Sequence, residues 1–94
     1  MVTAIILINT QHGRINEVAE QIAGLQGVSE VYSVGGRIDL VAMIRVKTNE
    51  QMADLVTNQM LKVSGIEKSE TLIAFRAFSR HDLEGMFSLG LEAE

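Results

Sequence analysis

Few residues of this chain have the types and spacing that catalysis or metal binding requires. The two histidines, His12 and His81, have no adjacent acidic residue or second histidine, apart from Asp82 directly after His81. Because adjacent residues on a helix point in different directions, that pair does not form a metal site. The absence of cysteine excludes disulfides, Cys-based zinc sites and thiol catalysis. We therefore expect no metal, no cofactor and no catalytic residues.

The turn Gly35-Gly36-Arg37-Ile38 is the other place where the residue types suggest chemistry. Paired glycines bring backbone N–H groups close to an anion, but phosphate-binding loops stand directly before a helix. Here a strand-like segment follows from Asp39. A hairpin turn is therefore the better interpretation of the two glycines.

Composition argues against several classes of partner. The formal net charge is −4, and the eight basic residues are scattered, so we expect no direct contact with nucleic acid. The apolar run at Val2 to Ile8 is too short for a signal peptide or a membrane span, which predicts a cytoplasmic protein. Apolar residues make up 47% of this small chain. That surplus indicates a second buried surface, and hence oligomerisation.

The elements that must position any site are written twice in the chain. Ala4, Ile6 and Ile8 align with Ala42, Ile44 and Val46 at an offset of 38 residues, which is also the distance from Gly27 to Gly65. Apolar patterns predict four strands, two helical stripes between them, and a short terminal helix after Ser79. The predicted strands are Val2–Asn9, Val28–Val34, Asp39–Lys47 and Ile66–Phe78, and the stripes run from Ile15 to Leu25 and from Met52 to Val63.

This β-α-β-β-α-β order predicts an α+β, ferredoxin-like fold, an antiparallel sheet with two helices on one face. Each half is a strand, a crossover helix and a strand, which accounts for the internal repeat. We expect one domain over residues 1–94, with a core at 2–78 and a terminal helix and tail at 79–94.

The strands are apolar on both faces, although helices can cover only one. In the third strand, Leu40, Ala42 and Ile44 alternate with Val41 and Met43. A bare sheet of this kind would exceed the apolar patch that a monomer usually exposes. We therefore predict that a second copy covers the open face in an isologous dimer.

Two segments resemble the effector-binding domain of the Lrp/AsnC family of transcription regulators. They are the hairpin Val34-Gly35-Gly36-Arg37-Ile38-Asp39-Leu40, and Gly65-Ile66 followed by Ser69-Glu70-Thr71-Leu72. The resemblance extends over about residues 2–78. It implies a βαββαβ domain that dimerises through its sheet face, assembles into higher oligomers and binds an amino acid effector. Full-length members carry a helix-turn-helix domain ahead of this one, so we expect a stand-alone form that lacks DNA-binding ability and acts through protein contacts.

The resemblance also implies which residues hold the effector. By position they are Gly35, Gly36, Arg37, Ile38, Asp39, Leu40, Ser69, Glu70 and Thr71. Backbone N–H groups at the glycines, with Arg37, would bind a carboxylate, and Asp39 would accept from an ammonium group. Two alternatives stay open: Asp39 holds the hairpin through hydrogen bonds to backbone, and Thr71 is simply a good strand former. Ile38 stands where the family usually has an aromatic residue.

Three functions remain in competition. The preferred one is an amino-acid-responsive, oligomeric regulatory module, which co-assembles with full-length Lrp/AsnC-type regulators. The second is a small dimeric enzyme of the monooxygenase kind, for which Tyr32 and His81 are the only candidate residues. The third is a structural assembly module without a ligand.

Overall fold

The chain forms the predicted order of strands and helices in a computed structural model, which describes residues 1–78 and 80. The strands run in the sheet order β2-β3-β1-β4, and every neighbouring pair is antiparallel. The predicted ferredoxin-like fold is therefore confirmed. The elements are β1 Val2–Thr10, α1 Ile15–Ala23, β2 Val28–Ser33, β3 Leu40–Val46, α2 Asn49–Asp54, a π-helical turn Leu55–Gln59, a 3-10 turn Met60–Lys62 and β4 Ile66–Ala74.

One face of the sheet, which we call the helix-covered face, forms the core. Strand alternation places every second residue of β1 and β3 against the helices, where they are excluded from water. Val18 and Ile22 of α1 pack onto them from above. Each fully buried Val, Leu or Ile side chain contributes about 1.5–3 kcal/mol relative to an exposed one. The strand residues of this face are Ala4, Ile6, Ile8, Leu40, Ala42 and Ile44, all at most 1% exposed.

We call the opposite face the open face, because no helix of the described residues lies over it. The register pairs Ile5 with Met43 and Leu7 with Val41, and Leu72 of β4 lies beside Ile5. These side chains are half-buried, apart from Leu72, which is 41% exposed. The division of strand residues between the two faces is as the sequence predicts.

The second helix begins with a capping box and then changes its winding. The Thr48 side chain accepts from the Gln51 N–H, and the Gln51 side chain accepts from the Thr48 N–H, which is a capping box. Leu55 and Met60 are both buried although they stand five residues apart. The π turn, in which the Met60 N–H donates to the Leu55 carbonyl, brings that spacing onto one side of the helix.

Gly27 and Gly65, which the repeat aligns, occupy equivalent positions. Each glycine follows a helix and has a positive φ, which is 100° at Gly27 and 101° at Gly65. A Cβ at Gly27 would lie 2.8 Å from a Val46 methyl carbon, and one at Gly65 would lie 2.7 Å from a methyl carbon of Val18. Both the backbone conformation and the close approach therefore require glycine.

The predicted ends of β1, β2 and β3 agree with the structure to within one residue, but the predicted end of β4 is wrong. We expected β4 to reach Phe78, but it ends at Ala74. Its neighbour β1 begins at Val2, and the last registered pair is Thr3 with Ala74. The register places Val2, the first residue of β1, opposite Phe75, so the residues after Phe75 have no part of β1 beside them. The predicted terminal helix lies outside the described residues, and the single domain over 1–94 stays a prediction.

Candidate functional site

A cleft opens where the β2–β3 hairpin meets the first half of β4, and we call it the hairpin cleft. Its volume is about 150 Å³. The end of β1, the hairpin turn and β4 each contribute to its walls. Four predicted site residues line it, namely Arg37, Ile38, Ser69 and Glu70, together with Leu7, Asn9 and Lys68.

The sheet register explains how distant residues meet in this cleft. Leu7 pairs with Glu70 and Asn9 with Lys68 across β1 and β4. Paired residues of antiparallel strands project to the same side, so these four lie on the open face. The hairpin then brings Arg37 beside them. The cleft is therefore continuous with the open face of the sheet.

Backbone and side-chain hydrogen bonds hold the hairpin turn in place. The Asn9 side-chain amide donates to the Arg37 carbonyl at 2.7 Å. The Asp39 N–H donates to the Ile8 carbonyl at 3.0 Å, and the Val34 N–H donates to the Asp39 carbonyl at 3.1 Å. The turn is thus fixed to the end of β1, so that Arg37 and Ile38 have a defined position at the cleft.

Asp39 has a structural contact of its own. Its Oδ2 accepts from the Thr10 N–H at 2.9 Å, and the Thr10 hydroxyl lies 3.4 Å from the same oxygen. Thr10 is buried, at 8% exposed, so its N–H needs an acceptor inside the protein. This contact agrees with the alternative in which Asp39 holds the hairpin through a hydrogen bond to backbone. Asp39 is not among the residues that line the cleft.

The remaining predicted residues lie around the cleft without lining it. Gly35 and Gly36 are exposed at the tip of the turn, and Gly36 has a φ of 120°. Leu40 is fully buried on the helix-covered face. Thr71 pairs with Ile6 and is half-buried on that same face. The structure therefore separates the nine predicted residues into a lining group and a supporting group.

Sequence reasoning missed Leu7, Asn9 and Lys68 as lining residues. Asn9 carried a signal, because it is an amide at the end of an otherwise apolar strand. Lys68 directly precedes the predicted Ser69. Leu7 reaches the cleft only through its register with Glu70, which no local pattern contains.

The cleft combines both signs of charge with hydrogen-bonding groups. Arg37 and Lys68 supply cationic donors, and Glu70 supplies an anionic acceptor. Asn9 adds an amide to the lining, and Leu7 adds an apolar side chain. Such a set suits a small molecule that carries a carboxylate and an ammonium group.

A second polar cluster lies on the open face at the β2 side. The Tyr32 hydroxyl donates to Glu30 Oε2 at 2.6 Å, and Arg45 lies 3.9 Å from Glu30 Oε1. The hydrogen bond to Glu30 raises the pKa of Tyr32, since ionised Tyr32 could no longer donate to the carboxylate. This cluster therefore places charge at the margin of an apolar surface.

A larger groove of about 770 Å³ lies at the other end of the sheet, between the α1–β2 loop, the end of β3 and α2. None of the nine predicted site residues lines it. Its walls are mostly exposed polar side chains, among them Lys47 and Glu50. Within residues 1–78 and 80, no three acidic or histidine side chains converge on a point that would hold a metal ion. No helix in that part of the chain is long and apolar enough to cross a membrane.

Comparison with known proteins gives a consistent result. The family model of the Lrp/AsnC ligand binding domain matches residues 3–83. The crystal structure of TTHA0845 from Thermus thermophilus superposes with a TM-score of 0.78 at 48% identity, and the match covers 85% of this chain and 100% of that one.

Two more distant proteins extend the comparison. PH1916 of Pyrococcus horikoshii, named an uncharacterized HTH-type transcriptional regulator, is 36% identical over 59 residues, which are 63% of this chain and 39% of that protein. The chain thus spans about two fifths of the length of this relative. The regulator NMB0573 from Neisseria meningitidis, solved as a complex with L-Met, has a TM-score of 0.73 at 12% identity over 84% of this chain and 53% of its own, a likeness of fold.

Proposed function

The chain belongs to the Lrp/AsnC family of ligand-binding domains, and on that premise we propose that it binds an amino acid in the hairpin cleft as an oligomeric regulatory module. The observation that carries this proposal is the convergence of two distant segments. Arg37 and Ile38 of the hairpin meet Ser69 and Glu70 of β4 in one cleft. These are segments that the family resemblance marks as effector contacts.

The contents of the cleft support an amino acid as the ligand. Arg37 and Lys68 offer donors to a carboxylate, and Glu70 offers an acceptor to an ammonium group. Because the Asp39 carboxylate already binds Thr10, we assign the ammonium to Glu70 instead. A volume of about 150 Å³ lies below the ~300 Å³ at which drug-sized sites begin, which favours a small ligand. The regulator NMB0573, which has the same fold in its matching part, was solved as a complex with L-Met.

The open face supports the oligomeric part of the proposal. Ile5, Leu7, Val41 and Met43 form a continuous apolar centre, with charged groups such as Glu30 and Arg45 at its margin. An apolar centre with a polar rim is the usual composition of a protein interface. A second copy would bury this face, and a full-length Lrp/AsnC-type regulator with the same sheet would fit it as well. The link to transcription regulation follows from the names of relatives such as PH1916.

The enzyme alternative requires polar groups between the sheet and the helices. Among the described residues, Thr10 is the one buried polar side chain, and the rest of that interior is aliphatic. Of the two candidate residues, Tyr32 lies on the open face and His81 lies outside the described residues. The observations therefore favour a binding module, and a cytoplasmic location stays a prediction of the sequence.

A thermal-shift screen against the twenty amino acids tests the proposal. A ligand at 100 to 1,000 times its Kd should stabilise the fold by about 2.7–4.1 kcal/mol. Glu70→Gln should abolish the shift, whereas Glu67→Gln on the same strand, outside the cleft, should preserve it. No shift with any amino acid would favour the ligand-free structural module. A shift that survives in Glu70→Gln would refute the assigned position.

A further inference from the structure

The two edges of the sheet are protected to different degrees. At the β2 edge, the register shifts between Val28 and Glu30. The Ser29 hydroxyl there donates to the Met43 carbonyl at 3.0 Å and accepts from Arg45 at 3.1 Å. A bulge with charged neighbours is a usual means by which an edge strand avoids pairing with another chain.

The outer edge of β4 has no such protection over its second half. Residues 71–75 carry no charge, and their side chains are largely apolar. Ile73 is 49% exposed and Phe75 is 95% exposed. The strand is the last of the sheet, so its outward backbone groups have no partner strand in the described chain. As far as residues 1–78 and 80 show, this edge is therefore open to a further strand.

The segment from Glu70 to Arg76 is complementary to itself in the antiparallel direction. If two copies meet about a twofold axis at Ile73, Glu70 of each lies opposite Arg76 of the other. Between these ion pairs, Thr71 lies opposite Phe75, and two Ile73 side chains meet at the centre. Opposite charges and β-branched or aromatic pairs are the cross-strand neighbours that stabilise a sheet.

We propose that the β4 edges of two copies pair in this antiparallel register, with a twofold axis at Ile73. The pairing gives Arg76 a strand partner that β1 does not provide, because β1 begins at Val2 and the register places Val2 opposite Phe75. Glu70 and Leu72 lie on the open face, so the joined edges continue that surface from one copy to the next. This inference rests on the proposed function in one respect. The higher oligomer would consist of face dimers that are joined at these edges.

We call the proposed contact between the β4 edges of two copies the seam. Substitutions that reverse the charges of Glu70 and Arg76 in this seam provide the test. Glu70→Arg alone places two Arg–Arg contacts in the seam, and Arg76→Glu alone places two Glu–Glu contacts. Each single variant should associate at this edge about tenfold more weakly than the wild type. The two single variants mixed together should associate again, and so should the double variant, because both restore opposite charges. Since Glu70 also lines the cleft, masses are measured by ultracentrifugation without amino acids present.

The result also separates this seam from the face contact. The single variants should retain a face dimer and lose only the larger species, whereas Val41→Asp should disrupt the face. Unchanged masses in both single variants, or no association on mixing them, would overturn the edge pairing and leave the face dimer standing. Hydrogen exchange gives a second measurement, since the amides of residues 72–75 should gain protection as protein concentration rises. Protection that is independent of concentration would mean that the same chain covers the edge, which also overturns the proposal.

Discussion

The helix-covered face and the open face consist of alternate residues of the same strands, yet they reach different states. In β3, Ala42 and Ile44 are fully buried, whereas Val41 and Met43 beside them are half-buried. Hydrophobicity alone does not separate the two sets. The difference arises because the two helices supply apolar stripes for one face, while the strands supply apolar residues for two.

This difference separates stability from assembly. Residues of the helix-covered face contribute to the free energy of folding of a single copy. Residues of the open face are only half-buried within that copy, and the proposed dimer would bury the rest of their apolar surface. The two faces can therefore be perturbed independently, which the following substitutions exploit in order of decreasing effect.

Val41→Asp should have the largest effect, and on assembly. A carboxylate in the centre of the covered open face would cost about 3–5 kcal/mol per uncompensated charge. We expect a folded monomer whose urea midpoint is independent of protein concentration, and a loss of dimer by ultracentrifugation. Thr3→Asp, a matched change nearer the end of β1, should weaken the dimer less. A dimer that is unaffected by Val41→Asp would show that the open face is not the contact.

Ile44→Ala should have the next largest effect, and on stability. Ile44 is fully buried among core side chains, so its truncation leaves a cavity and should cost about 2–4 kcal/mol. Met43→Ala, its neighbour on the open face, should leave the unfolding midpoint of the monomer nearly unchanged. Urea unfolding in the Val41→Asp background measures both without the dimer. Equal losses from Ile44→Ala and Met43→Ala would contradict the division into two faces.

The sequence predicts the two faces well because alternation is a local property. The identities of Ile5, Leu7, Val41 and Met43 place them on one side once the strands are recognised. The capping box at Thr48 and the helix-ending glycines are equally local. The end of β4 at Ala74 is not local, because it depends on where β1 begins.

The candidate site is less predictable for the same reason. The hydrogen bond from Thr10 to Asp39 joins residues 29 apart, and no pattern near Asp39 distinguishes it from a ligand contact. Lys68 and Asn9 enter the cleft through strand register. The π turn after α2 matches the five-residue spacing of Leu55 and Met60. That spacing is present in the apolar stripe, but a regular α-helix would not place both residues on its buried side.

Asp39→Asn should have a moderate effect. It tests whether Asp39 holds the hairpin to the end of β1 or binds the ligand. The Asn oxygen can still accept from the buried Thr10 N–H, but exchange of a charged acceptor for a neutral one should cost about 1 kcal/mol. Urea unfolding measures this cost, and thermal shift with the identified amino acid measures binding. We expect reduced stability with the shift retained. Unchanged stability together with lost binding would return Asp39 to the role of ammonium acceptor.

Tyr32 should show the smallest effect, and it reports on the open face directly. It is the only tyrosine, and the chain has no tryptophan, so its ionisation is visible in ultraviolet absorbance without interference. Its pKa is raised because its hydroxyl donates to Glu30, so any stability it adds is present below the ordinary tyrosine pKa of about 10 and is lost as pH rises through the raised value. Glu30→Gln should lower the pH midpoint of Tyr32 ionisation towards the ordinary value. Burial of Tyr32 in a face dimer should raise the midpoint further than in the Val41→Asp monomer. Identical midpoints in dimer and monomer would place Tyr32 outside the contact and move the dimer centre towards β4.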